Sequence, residues 1–170
     1  MKTAWIGILE TSPLGPVWVA VSELGLVAVE VDRDRLAIEA AAHRLGFEQV
    51  IQEQENTSEA VSQIAEYLAG KRRIFDLAID WAVLRPFQQE ALHATFEIPY
   101  GESRTYGEIA HSLGRPRAAR AVGRAEATNP MPLVIPCHRV IGADGGLHGY
   151  GAGNGLETKE WLLNLEKASR

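Results

Sequence analysis

The sequence predicts two domains of different class: an α/β domain over residues 1–84, built on a small antiparallel sheet with helices, and a mostly α domain over residues 85–170. The second carries a winged helix-turn-helix-like motif. Three observations lead there. Short apolar runs bounded by turn residues fill the first third, helical spacing of apolar residues fills the second half, and the change falls near Trp81–Pro86.

In chain order, strands are expected at Trp5–Leu9, Val17–Val21 and Leu26–Val31, with Ser22-Glu23-Leu24-Gly25 as the turn of an antiparallel meander. A helix follows from Asp34 to Leu45, stopped by Gly46, and another from a Ser58 cap through Ile64 and Leu68 to Gly70. Ile74–Ile79 reads as a further strand. Pro86 suits the first turn of a helix in which Phe87, Ala91, Thr95 and Ile98 repeat at near-helical spacing, closed by Pro99-Tyr100-Gly101. Thr105 followed by Glu108 forms a capping-box pattern, and Leu113-Gly114 stops that helix. The next helix, within Arg115–Ala125, begins after a turn of about three residues, so the pair reads as a helix-turn-helix. A last amphipathic helix spans Glu157–Lys167 and carries Trp161, Leu162 and Leu165.

Composition narrows the function classes. A chain of 170 residues with 46% hydrophobic content can bury one substantial core or two small ones. No apolar run approaches the roughly 20 residues needed to span a bilayer, and Met1-Lys2-Thr3-Ala4-Trp5 lacks the apolar core of a secretion signal. A cytoplasmic protein with no membrane partner is expected. The single cysteine excludes an internal disulfide and a multi-cysteine zinc cage, so neither metal nor cofactor is expected. The net charge of −5 is uneven: residues 1–84 carry 7 Lys+Arg against 13 Asp+Glu, and residues 85–170 carry 10 against 9. Arg115, Arg117, Arg120 and Arg124 fall together with no acid among them, a local basic patch on an acidic protein.

The second helix of the pair presents alanines and arginines rather than the long polar side chains that read base edges. Ala118 and Ala119 would let the backbone approach a DNA surface closely. Arg117 and Arg124 would contact phosphates, and one guanidinium could reach into the base stack. An ordinary solvated surface helix is the competing reading.

The segment Asn129-Pro130-Met131-Pro132-Leu133-Val134-Ile135-Pro136-Cys137-His138-Arg139-Val140 concentrates the chemistry. Its three prolines are expected to hold Cys137 in a rigid extended stretch. A lone cysteine is usually a small buried apolar residue. Beside a histidine that can take its proton, directly or through one water, it becomes a nucleophile. A carboxylate would orient that imidazole, and Glu166 on the last helix is the candidate.

Asn129-Pro130 and Ile135-Pro136-Cys137-His138-Arg139-Val140 resemble the active-site signature of O6-alkylguanine-DNA alkyltransferases. The similarity extends to Ile98-Pro99-Tyr100-Gly101-Glu102, to Thr105-Tyr106-Gly107-Glu108-Ile109-Ala110, to Ala118-Ala119-Arg120-Ala121-Val122-Gly123, to Gly149-Tyr150-Gly151 and to Lys159 with Trp161-Leu162-Leu163. It covers residues 85–167, with a weaker likeness before them.

The resemblance implies DNA repair by single-use transfer of an alkyl group from guanine O6 to Cys137 after base flipping, by a monomer acting on double-stranded DNA. O4-alkylthymine stands open as a second substrate. His138 would serve through a water as base, Glu166 would orient it, and Asn129 would brace the turn carrying the cysteine. Arg120 would fill the gap left by the extruded nucleotide, and Tyr106 would press on the adjoining phosphate. Tyr150, Gly151 and Pro132 would line the guanine pocket, with the carbonyls of Val140 and Cys137 accepting from the base amine. Three departures from the family pattern stand out: Leu92 in place of a common Trp, Glu126 where relatives can place an apolar pocket residue, and a longer loop at Gly151-Ala152-Gly153-Asn154-Gly155. Three rival readings exist: a cysteine hydrolase using a Cys137–His138 dyad, a lesion sensor without an acceptor cysteine, and a transcriptional regulator. The first is disfavoured if the two residues alternate along an extended chain, the second by the presence of Cys137, and the third by the lack of any dimerisation signal.

Overall fold

The computed structural model describes residues 1–169, which divide into two compact units, Met1–Val83 and the residues from Leu84 onward. In the first unit, strands β1 (Thr3–Leu9), β2 (Val17–Ser22) and β3 (Gly25–Val31) form the expected meander. Gly25 turns the β2–β3 hairpin at φ 140°, where a Cβ would lie 2.4 Å from the Ala78 carbonyl oxygen. Helix α1 (Arg35–Arg44) is capped by Asp34, whose side chain accepts from the Ala37 amide, and ends at Leu45 ahead of Gly46 at φ 95°.

Three findings change this unit relative to the prediction. A fourth strand, β4 (Gln49–Gln52), adds to β1 in parallel, so the sheet is mixed, in the order β3-β2-β1-β4. Helix α2 (Gln54–Leu68) starts at Glu53, well before Ser58, and Ser58 instead bonds back to the Glu55 carbonyl within the helix. Ile74–Ile79 is not a strand. Its backbone is held by the Gln63 side chain, which donates to the Asp76 carbonyl and accepts from the Asp76 amide, leaving one bridge between Leu26 and Ile79. Ala4, Ile6, Trp18 and Ala20 pack with Ile38, Ala41 and Ala42 of α1. Gly7, on the alternate face, meets Thr57 of α2, and a Cβ there would fall 2.0 Å from its hydroxyl. Helices on both faces explain why Val17–Val21 is buried without alternation.

A 3-10 turn at Trp81–Val83 ends the first unit, and the second opens on α3 (Pro86–Phe96), with Pro86 at its first position and Ala91, Leu92 and Thr95 buried. Strand β5 (Arg104–Thr105) precedes α4 (Tyr106–Ser112), whose capping box joins the Thr105 hydroxyl to the Glu108 amide and the Glu108 carboxylate to the Thr105 amide. Helix α5 (Ala119–Ala127) packs against α3 and α4 through Val122 and Ala125. It starts later than expected, because Pro116 and Arg117 form a turn closed by the Ala118 amide on the Arg115 carbonyl. Arg117 therefore sits in the turn and Ala118 is the N-cap. Strand β6 (Val140–Ile141) pairs in parallel with β5, tying the residues after Cys137 to the entry of α4. Helix α6 (Leu156–Ala168) closes the chain. Among the described residues no helix is long and apolar enough to cross a membrane.

Candidate active site

The segment that carries Cys137 is folded by proline and asparagine chemistry. Asn129 Nδ2 donates to the Ile135 carbonyl at 3.0 Å, and its Oδ1 accepts from the Met131 amide at 2.9 Å, so one side chain spans the loop. Pro136 sits at φ −80°, ψ 64°, and the Cys137 amide reaches back to the Ile135 carbonyl at 2.8 Å, which is an inverse γ-turn. The Arg139 amide then bonds the Pro136 carbonyl and closes a 3-10 turn over Cys137–Arg139. The expected extended stretch is thus a coiled one, because a proline ring fixes φ near the value such turns need. Cys137 and His138 therefore do not alternate across an extended chain.

A buried ionic cluster stands behind the cysteine. Lys159, Leu162 and Glu166 are buried on one face of α6, as spacings of three and four residues require. Glu166 Oε2 lies 2.7 Å from His138 Nε2, and Arg139 donates from Nε to Oε1 at 2.9 Å and from Nη2 to Oε2 at 3.0 Å. The Gly101 amide adds a bond to Oε1 at 3.0 Å, and Arg139 Nη1 donates to the Ile98 carbonyl at 2.7 Å. Burial works to raise the Glu166 carboxyl, but the hydrogen bonds from His138 and Arg139, together with the Arg139 charge, hold it well below the usual carboxylate range. Burial lowers His138, opposed by Glu166, so the ring favours its neutral form. With Glu166 ionised, a neutral His138 carries its proton on Nε2 and presents Nδ1 as a base.

Burial, followed by the nearby Glu126 charge, pushes the Cys137 thiol up to about 12, against a smaller lowering from a hydrogen bond with Asn129. The resting thiol is protonated at neutral pH. It lines a cavity of about 710 Å³ together with Tyr106, Ala119, Arg120, Tyr150 and Gly151. Glu126 also lines it: Oε1 meets the Thr95 hydroxyl, while Oε2 is buried without a hydrogen-bond partner, and burial raises this carboxyl to about 8. Tyr150 Oη is likewise buried, and neither atom has a hydrogen-bond partner among the described residues. A buried polar atom left without a partner costs on the order of 1–3 kcal/mol.

The structure therefore brings together Cys137, Tyr106, Ala119, Arg120, Tyr150 and Gly151 at one cavity, and joins His138 to Glu166 beside it. Arg117, Arg120 and Arg124 are exposed, while Ala118 and Ala119 are half-buried. Pro132 and Val140 are buried and do not line the cavity, and the Val140 carbonyl accepts from Lys159 Nζ at 2.7 Å. Sequence reasoning assigned no role to Arg139 or Lys159. Their signal was available for Lys159 in the 159–162–166 helical spacing, and for Arg139 only in its position next to His138. Among the described residues no group of three or more His, Cys, Asp or Glu is placed to hold a metal ion.

A helix-turn-helix unit with a buried cysteine lining a cavity beside its second helix defines a nucleophile-bearing class of such domains. Comparison with known proteins specifies it further. Residues 86–168 match the DNA binding domain of 6-O-methylguanine DNA methyltransferase, and residues 8–81 match its ribonuclease-like domain. A methylated-DNA--protein-cysteine methyltransferase of Methanosarcina acetivorans is 43% identical over 155 residues, covering 91% of this chain and 94% of that one. The protein of that name from Salmonella typhimurium is 41% identical over 160 residues, covering 91% of each. The crystal structure of Mycobacterium tuberculosis OGT in complex with DNA superposes with a TM-score of 0.79 at 38% identity, covering 98% of this chain and 94% of that one. The chain belongs to the 6-O-methylguanine DNA methyltransferase family.

Proposed function

We propose that this protein repairs DNA by moving the alkyl group of an O6-alkylguanine onto Cys137, once per molecule, after the damaged nucleotide has been turned out of the duplex. The observation that carries the reading is the position of Cys137 on the cavity beside α5, backed by the buried His138–Glu166 pair. An O6 substituent lies inside the duplex, so a buried sulfur can reach it only if the base leaves the stack, at a cost of a few kcal/mol. Arg120, exposed on α5 and lining the same cavity, is suited to hold the vacated gap, because a guanidinium both stacks and donates. Arg117 and Arg124 contribute phosphate contacts, and Tyr106 presses on the neighbouring phosphate. Residues 1–84 hold no recognisable catalytic grouping and are assigned a supporting role.

The reaction balances without a cofactor. His138 Nδ1 takes the thiol proton, directly or through one water, and Glu166 with Arg139 fixes the ring. The thiolate attacks the alkyl carbon, an S–C bond forms, and the C–O6 bond breaks with its electron pair going to guanine, which then takes up a proton. The product thioether has no carbonyl for water to attack, so the sulfur is not regenerated. Mass spectrometry of the protein after mixing with a duplex containing O6-methylguanine is expected to find one added methyl group, on Cys137. Cys137→Ser is expected to add none while still binding DNA. Methylation elsewhere, none at all in the wild type, or repeated turnover overturns the reading.

A further inference from the structure

Glu126 and Tyr150 both line the cavity beside Cys137, and each holds a buried polar atom with no hydrogen-bond partner among the described residues, Oε2 and Oη. Glu126 as a residue is 6% exposed, and the reaction set out above does not use its carboxyl. Much of the remaining lining is glycine and alanine. A buried carboxyl with one oxygen anchored on Thr95 and the other unanswered calls for a ligand atom, not for a packing contact.

We propose that Glu126 and Tyr150 form a polar subsite for the substituent on guanine O6, which selects alkyl groups bearing a hydroxyl over apolar groups of equal size. This rests on the alkyl-transfer reading. The sulfur must meet the first carbon of the substituent, so the atoms beyond that carbon occupy the space around Cys137. Glu126 shares that space closely enough for its charge to raise the Cys137 thiol.

The hydrogen-bond inventory identifies the ligand as a hydroxyl. Thr95 has one hydroxyl proton and two neighbours for it, the Ala91 carbonyl at 3.0 Å and Glu126 Oε1. If the proton goes to Ala91, a neutral Glu126 donates to Thr95 and Oε2 is an acceptor. If it goes to Glu126, the carboxyl proton sits on Oε2, which becomes a donor. A carboxyl raised to about 8 by burial is neutral at pH 7, so both arrangements are open. A hydroxyl matches either one, and it matches a phenol oxygen such as Tyr150 Oη as well. An ammonium only donates and a carboxylate only accepts. A propyl group leaves every one of these atoms unsatisfied, the kind of difference by which buried polar sites discriminate. The charged or titratable groups facing Glu126 are Tyr106 from α4, Cys137 from the 3-10 turn and Lys159 from α6, with Arg120 and His148 on the same cavity.

Single-turnover rates on duplexes carrying O6-(2-hydroxyethyl)guanine and O6-n-propylguanine test the proposal, because the two groups match in size. Intrinsic reactivity cancels when the hydroxyethyl-to-propyl ratio is compared between variants. That ratio is expected to fall roughly tenfold in Glu126→Leu and to stay near the wild-type value in Glu126→Gln, whose amide both donates and accepts. Tyr150→Phe, which keeps the ring, is expected to lower it by about threefold. An unchanged ratio in Glu126→Leu overturns the proposal, and if that variant does not fold, an unchanged ratio in Tyr150→Phe does so. Transfer from O6-methylguanine to Cys137 in the wild type separates the two claims: its absence overturns both, while its presence with unchanged ratios overturns the subsite alone.

Discussion

The two units of this chain treat buried polar groups differently. Among the described residues, Met1–Val83 buries Thr57, Gln63 and Asp80, whereas Leu84–Arg170 buries Thr95, Glu126, His138, Arg139, Thr158, Lys159 and Glu166. In the first unit the buried polar groups serve the backbone. Gln63 holds Asp76, and Asp80 accepts from Ser22 at 2.6 Å and from the Ala82 amide. In the second unit five of them are ionisable, and three of these, His138, Arg139 and Glu166, bond to one another. Desolvating several charges is a cost that a purely structural core avoids, and their concentration around one cysteine marks where the fold serves chemistry rather than stability.

The largest effect that could break this comparison is the removal of one member from each unit. Glu166→Ala leaves Arg139 and His138 buried without their carboxylate, and it is expected to lower stability by about 3–5 kcal/mol. Asp80→Asn keeps the shape and one acceptor, and it is expected to cost about 1 kcal/mol. Urea unfolding of the two variants measures both, and equal losses would show that the units do not differ in this respect. The Glu166 contribution should also depend on pH. Its carboxyl is depressed in the fold, so the stabilisation is present above the ordinary value of 4.5 and is lost as pH falls below it.

Glu126 runs the other way and gives the next effect. Its carboxyl is raised from 4.5 to about 8, so the unfolded chain ionises first and the wild type loses stability as pH rises between those values. Glu126→Gln cannot ionise. It should therefore match the wild type most closely near pH 4 and exceed its stability by roughly 2–4 kcal/mol at pH 8 and above. Thermal unfolding across that range reads the difference. A variant whose advantage is constant with pH would show that this carboxyl is not held neutral by the fold.

How far this contrast is legible in the sequence depends on the kind of signal. Local signals read well: Asp34 and Thr105 cap the helices assigned to them, Pro86 opens α3, and Gly46 and Gly114 follow helix ends. Signals that depend on distant partners do not. Strand β4, Gln49–Gln52, is mostly exposed, so it has no apolar alternation, and its pairing with Thr3–Ile6 bridges far-separated residues. Helix α2 begins at Glu53 without a side-chain cap, which made Ser58 the better-looking start. The Ile74–Ile79 run has strand-like residues, but Gln63 occupies its backbone. At the site, Cys137, His138 and Glu166 could be chosen by their chemistry, while the role of Arg139 as the second partner of Glu166 needed three dimensions.

The smallest effects concern the exposed arginines, where the second unit meets its expected partner. Arg120 lines the cavity, whereas Arg117 lies in the turn before α5 and Arg124 in its last turn, both exposed and neither on the cavity. If Arg120 holds the gap left by the nucleotide, Arg120→Ala should slow repair of duplex O6-methylguanine on the order of tenfold or more, part of the extrusion cost of a few kcal/mol. Reaction with free O6-benzylguanine should change much less, because a free base needs no extrusion. Arg124→Ala and Arg117→Ala should leave the free-base rate alone and weaken binding to all duplex sequences, each lowering the slope of log affinity against log salt by about 1. Paired rate measurements on the two substrates, with a salt titration for each variant, separate these roles. Equal slowing on both substrates by Arg120→Ala would mean that the side chain supports the cavity itself. A full loss of slope at Arg120, with none at Arg117 or Arg124, would move the phosphate contact from the ends of the helix to its cavity face.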